Sequence, residues 1–143
     1  MIELPEPVPA APEDHAPVVI EADDDDDARR RHRQSAARRA YVMAWNNACI
    51  HAHALGLPAR AAELSDGAQR FATENPHIYH SAACAYLAAG QMEPALGQVR
   101  LAIACGYQHL EKMESDPDLA RLAEQPAFIR MFRDWRAARD DLN

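Results

Sequence analysis

Residues 42–75 read VMAWNNACIHAHALGLPARAAELSDGAQRFATEN, and residues 76–109 read PHIYHSAACAYLAAGQMEPALGQVRLAIACGYQH. Slid by 34 positions, the two stretches superpose without a gap. Trp45 meets Tyr79, Ala48 meets Ala82, Gly56 meets Gly90, Ala61 meets Ala95 and Ala68 meets Ala102. Each pair matches in size. Both stretches are rich in Ala, Leu, Met and Arg, which are strong helix formers. Alternating β-branched runs are absent, and Asp66-Gly67 sits inside a helical pattern rather than between strands. The spacing therefore predicts an all-α fold built on a repeated helix–turn–helix unit.

Each paired residue has a physical task in such a unit. Trp45, Tyr79 and Tyr86 fill the space between two antiparallel helices. Ala48, Cys49, Ala82 and Ala83 let those helices approach closely. Gly56 and Gly90 end the first helix of each unit, where the left-handed C-cap suits glycine. Pro58 and Pro94 fall in the first turn of the second helix, where a missing N–H costs little. Ala61, Ala68, Ala95 and Ala102 lie where that helix crosses its neighbours. On these residues, 42–109 resembles two tetratricopeptide repeats. Two positions depart from that family's pattern. The leucine usual three residues after the first aromatic is alanine in both units, and the proline usual near the repeat end is Thr73 or Tyr107. The resemblance implies a short right-handed α-solenoid and a role in binding other proteins.

After Gly106 the pattern changes. Asp116-Pro117-Asp118-Leu119 and Pro126-Ala127-Phe128 are similar to segments that close bacterial arrays of this family. Asp116 suits the cap of a short helix starting at Pro117. Phe128, Met131, Phe132 and Trp135 form an i, i+3, i+4, i+7 stripe on a last helix. Arg130, Arg133, Arg136 and Arg139 take its other face. The stripe is suited to cover the open end of the second unit, which a solenoid must protect. Expected helices are 28–55, 58–73, 76–89, 92–105, a short piece near 107–114, 117–123 and 126–140.

Charge divides the rest of the chain. The whole sequence has 143 residues, 15 Lys+Arg, 22 Asp+Glu and a net charge of −7. Residues 1–27 hold ten acids, five prolines and no Lys or Arg. Such a segment buries too little surface to offset its ordering entropy, so it reads as a disordered acidic tail. Residues 28–40 then carry Arg29, Arg30, Arg31, Arg33, Arg38 and Arg39 with no acid. The domain reading is a tail at 1–27, a basic helical extension at 28–41, two repeats at 42–109 and capping helices at 110–143. The basic block reads first as a helix start with arginines on a solvated face. Its alternative is contact with nucleic acid or an acidic partner, masked by the aspartates. The lack of interleaved aromatics and the neighbouring acids argue against that.

No apolar run approaches the roughly 20 residues of a membrane span. Met1-Ile2-Glu3-Leu4-Pro5 carries no basic flank, so no secretory signal is read. Cys49, Cys84 and Cys105 are an odd, small set, and the expectation is reduced thiols in the cytoplasm.

In the family resembled, the first helix of each unit lines a concave groove. Here that face is expected to present Met43, Asn46, Ile50 and His53, then His77, His80, Cys84 and Leu87. It has no Lys or Arg, so a clamp for a C-terminal carboxylate is not expected. A short apolar or mixed peptide from a partner protein is. Two units form a small stack, and dimerisation or a partner is a way to complete it. Cys49-x-His51-x-His53 does not converge, because His51 leaves the shared helix face. His77, His80 and Cys84 share a face but lack a full set of metal ligands. No metal and no cofactor is expected. No nucleophile motif, phosphate loop or cleft-forming carboxylate pair is present, so no enzyme is expected either. The favoured function is a non-catalytic adaptor. A dedicated chaperone or immunity-type protein for one bacterial secreted partner is the alternative.

Overall fold

The computed structural model describes residues 24–142, all of them in helices, turns and short connections. Seven α-helices run in order: α1 Asp24–Ala54, α2 Pro58–Ala68, α3 His77–Ala88, α4 Met92–Ala104, α5 Leu110–Glu114, α6 Ala120–Ala123 and α7 Pro126–Asp141. Single turns of 3-10 helix, Gln69–Phe71 and Pro117–Leu119, extend α2 and precede α6. No strand occurs among the described residues. The described chain divides into two units between Ser35 and Ala36.

Within the first unit the helix starts at Asp24, four residues earlier than the sequence reading placed it. Asp24, Asp25, Asp26 and Asp27 fill its first turn, where the exposed N–H groups and helix dipole favour negative charge. Arg29 then pairs with Asp25 and Asp26 at i+4 and i+3 spacing. The helix thus takes in the last four residues that the sequence reading gave to the acidic tail. The tail through residue 23 lies outside the described residues.

The second unit begins inside the basic extension, at Ala36. Arg38 shows why. Its guanidinium donates to both carboxylate oxygens of Glu74, at 2.8 and 3.1 Å, and lies over the Phe71 ring. The pairing raises the Arg38 pKa and holds the Glu74 carboxyl below its usual range. Tyr41 meets the Phe71 ring edge-on, and Arg70 lies over both Phe71 and Trp45. Arg38, counted in the sequence as part of a solvated basic face, is therefore engaged within the fold.

Helix α3 is central. It packs against α2, α4 and the turn at Pro117–Leu119, and every residue from 82 to 87 is buried. A stretch buried over nearly two turns belongs in a core. Ala82, Ala83, Ala85, Ala95 and Ala102 are all fully buried, as are Ala61 and Ala68 on α2. Their small size sets how closely the helices pack. Tyr79 and Tyr86 are buried too, and the Tyr86 hydroxyl donates to Asp66 at 2.5 Å, tying α3 to α2. Ala48 and Trp45 are half-buried. Cys49, one position on, is buried, as are Val42, Asn46 and Ala52 of α1. At the far side α7 lays Phe128 and Phe132 into the core and packs on α4 and α6. Arg136 and Arg139 do not simply face solvent: they pair with Glu114 and Glu111 of α5.

Three helices end alike. Gly56, Gly90 and Gly106 have φ of 70°, 77° and 71°. At Gly90 the N–H donates to Leu87 O and the next N–H, from Gln91, reaches back to Tyr86 O. That is the pair of bonds that closes a left-handed helix cap. A Cβ at Gly90 meets nothing within 4 Å, so Gly90→Ala suffers backbone strain alone. Its expected cost is about 1–2 kcal/mol, read as a lower midpoint in urea denaturation with an unchanged slope.

Candidate functional site

Three stretches converge on one pocket of about 320 Å³. Asn46, Ile50 and His53 come from α1 at i, i+4, i+7. His77, His80, Ser81 and Cys84 come from α3 at i, i+3, i+4, i+7. One helical face generates each set. Tyr107, His109, Lys112, Asp116 and Asp118 arrive from the chain after α4.

Local chemistry positions the α3 set. Asn75 Oδ1 accepts the His77 N–H at 3.2 Å, which satisfies one free donor at the start of the helix. Pro76 opens the helix where its missing N–H is harmless. Asn46 is joined to α3, because Ser81 Oγ donates to its Oδ1 at 2.7 Å. Met113 and Leu110, both buried, anchor α5 and bring Lys112 to the rim. Asp116 then caps the turn that follows: its Oδ1 accepts the Asp118 N–H at 2.9 Å.

That cap leaves the other carboxylate oxygen directed elsewhere. Asp116 Oδ2 lies 2.6 Å from His80 Nε2 and 3.8 Å from Cys84 Sγ. The three donor groups lie within 4.8 Å of one another. Burial pushes the Cys84 thiol up strongly, and the negative charges of Asp116 and Asp118 add to the rise. Cys49 is also pushed up by burial. A second hydrogen bond links His77 Nδ1 and the Tyr107 hydroxyl at 3.0 Å, with the His109 ring 5.4 Å from His77. His53 Nε2 lies 3.3 Å from Asp118 Oδ2.

His77 provides a measurable sign. Burial lowers its pKa first, and the charges of His109 and His80 lower it further. The unfolded chain, with an ordinary value near about 6.5, therefore takes up this proton before the folded chain does. This contribution to stability is complete above that value and is lost as pH falls below it. Thermal unfolding from pH 7.5 to 5.5 is expected to show a falling midpoint, with less fall in His77→Gln. An NMR titration placing the His77 imidazole at or above the free-histidine value contradicts this.

The structure brings six of the eight expected groove residues to the pocket: Asn46, Ile50, His53, His77, His80 and Cys84. The other two lie elsewhere. Met43 is exposed, with its sulfur 3.8 Å from Asn75 Nδ2. Leu87 is a correction: it is buried in the core cluster and does not line the pocket. The expectation of a lining without Lys or Arg is also corrected by Lys112. His51 is exposed and Cys49 is fully buried, so Cys49-x-His51-x-His53 brings no ligands together. Sequence reasoning missed Ser81, Tyr107, His109, Lys112, Asp116 and Asp118 as lining residues. A usable signal did exist in Asp116-Pro117-Asp118, since a capping carboxylate has a second oxygen to place.

No family model, curated protein or solved structure matches this chain. Among the described residues no helix is long and apolar enough to cross a membrane. The site is therefore read from its own chemistry. Donors and acceptors crowd one wall, Ile50 provides an apolar edge, and the fixed charges are one ammonium and two carboxylates.

Proposed function

We propose that the chain is a non-catalytic adaptor of tetratricopeptide type that holds a short segment of a partner protein against α1 and α3. One observation carries the reading: a single pocket bordered by one face of each of these helices and walled by the chain after α4. The size fits one or two side chains of a ligand rather than a whole domain. A mixed peptide suits the lining. An apolar side chain would rest on the exposed Ile50, with Met43 farther along the same helix. Backbone carbonyls of the peptide would accept from His109 and Lys112. Both are exposed, so peptide binding need not unfold the wall. The three cysteines are free thiols, which is in keeping with a cytoplasmic site of action.

The test is selection of binders from a random displayed peptide library, followed by calorimetric measurement of Kd. Ile50→Glu and Lys112→Glu change exposed positions, so both variants should keep the wild-type circular dichroism. Each is expected to weaken a selected peptide by at least about tenfold, the loss of one good contact at about 1.4 kcal/mol. A library that yields no binder, or binders indifferent to both changes, removes the proposal.

A further inference from the structure

We propose that His80, Cys84 and Asp116 form a binding site for a transition-metal dication of the zinc class, with the fourth coordination position open to the pocket. This does not depend on the peptide reading. Three observations carry it.

The first is the donor set. An imidazole, a thiol and a carboxylate together match a borderline-soft ion such as Zn²⁺, whereas Mg²⁺ and Ca²⁺ prefer all-oxygen shells. Binding displaces the Cys84 thiol proton to solvent, and the resulting thiolate and the carboxylate, with a neutral imidazole, carry two negative charges against the ion's two positive ones. The second is geometry. Zn–N, Zn–O and Zn–S bonds of about 2.0–2.3 Å at tetrahedral angles put donor atoms about 3.3–3.7 Å apart. Cys84 Sγ and Asp116 Oδ2 stand 3.8 Å apart, already close to that edge. His80 Nε2 and Asp116 Oδ2, now 2.6 Å apart, need to open by less than an ångström. His80 and Cys84 are one helical turn apart on α3, the i, i+4 spacing that puts two ligands on one face.

The third is support. Asp116 is oriented by the bond its Oδ1 accepts from the Asp118 N–H, so its Oδ2 is already aimed at His80 and Cys84. Cys84 is only 7% exposed, and the His80 and Asp116 side chains are 16% and 21% exposed. The site is shielded but reachable. All three residues line the pocket, which leaves room for water or an outside donor at the fourth position. Three protein ligands and one open place are the arrangement of a zinc ion that still takes an exchangeable ligand.

The experiment uses the full chain, reduced and stripped of metal with a chelator, and Co²⁺ as the probe. One equivalent is expected to give intense tetrahedral visible bands and a near-ultraviolet thiolate-to-cobalt band. Zn²⁺ is then expected to bleach both. Cys84→Ser should abolish the thiolate band and raise Kd at least about 100-fold. Asp116→Asn keeps an oxygen for the Asp118 N–H and lies in a turn, so it preserves the fold; Kd should rise at least about tenfold. Cys105→Ser, at an exposed thiol, should change nothing. The proposal is overturned if the wild type takes up no Co²⁺ in the micromolar range. It is equally overturned by a weak octahedral spectrum, by a thiolate band that follows Cys105, or by an affinity unchanged in Asp116→Asn.

Discussion

Phe132→Ala is expected to cost about 3–5 kcal/mol of stability, close to the limit of what a domain this size survives. Phe132 is 1% exposed. Its ring lies 4.7 Å from Phe128 and meets Trp135 edge-on at 6.0 Å. Truncation removes the transfer energy of the ring and leaves a cavity between α7 and the helices it covers. Polar contacts across this joint are weaker. Arg136–Glu114 and Arg139–Glu111 are at least partly exposed, and such pairs contribute under about 1 kcal/mol each. Urea denaturation of Phe132→Ala, Phe132→Leu and Glu111→Gln/Glu114→Gln separates the two contributions. The expected order of loss is Phe132→Ala, then Phe132→Leu at under about 1.5 kcal/mol, then the charge variant. A charge variant that loses more than Phe132→Ala would mean that α7 is held by its ion pairs and not by its apolar stripe.

Met113→Ala is expected to cost about 2–5 kcal/mol and also to disturb the pocket. Met113 is completely buried, although α5 spans only Leu110–Glu114. A helix that short has no stability of its own and depends on its anchors. The Asp116 N–H donates to Met113 O at 3.3 Å, so the anchor is coupled to the carboxylate that reaches His80 and Cys84. Removing the thioether side chain loosens α5 and lets Asp116 drift. The His80 imidazole then loses its fixed partner, which NMR of the His80 ring reads directly. Met113→Leu conserves volume and should cost under about 1.5 kcal/mol with the His80 signal retained. A large stability loss in Met113→Ala with the His80 signal unmoved would separate the anchor from the site.

Both predictions concern residues whose weight is not evident along the chain. Phe132 belonged to a periodic stripe, so its inward face was legible. That it is more deeply buried than Trp135 followed only from the packing of α4 and α6. Met113 carried no signal at all. Gly67 teaches the same lesson from the other side. In the sequence it is a weak point inside a helical pattern. In the fold a Cβ at that position would stand 2.7 Å from the Trp45 ring, so the glycine is there to admit the indole.

The sequence by itself determined the helical class, the ends of most helices and the small residues at their crossings. These rest on signals that act within a turn or two: glycines at left-handed caps, prolines at helix starts, a 3.6-residue apolar period. They need no knowledge of what lies opposite. Six pocket residues were legible for the same reason, since each set shares one helix face. Only the tertiary structure decided that Leu87 is core and Asn46 is tied to Ser81. It also decided that Arg38 pairs with Glu74, and that the spare oxygen of a capping Asp116 meets His80, 36 residues earlier. Contacts at that separation depend on how helices pack in space, and helix packing follows from the summed shapes of many side chains rather than from any local motif.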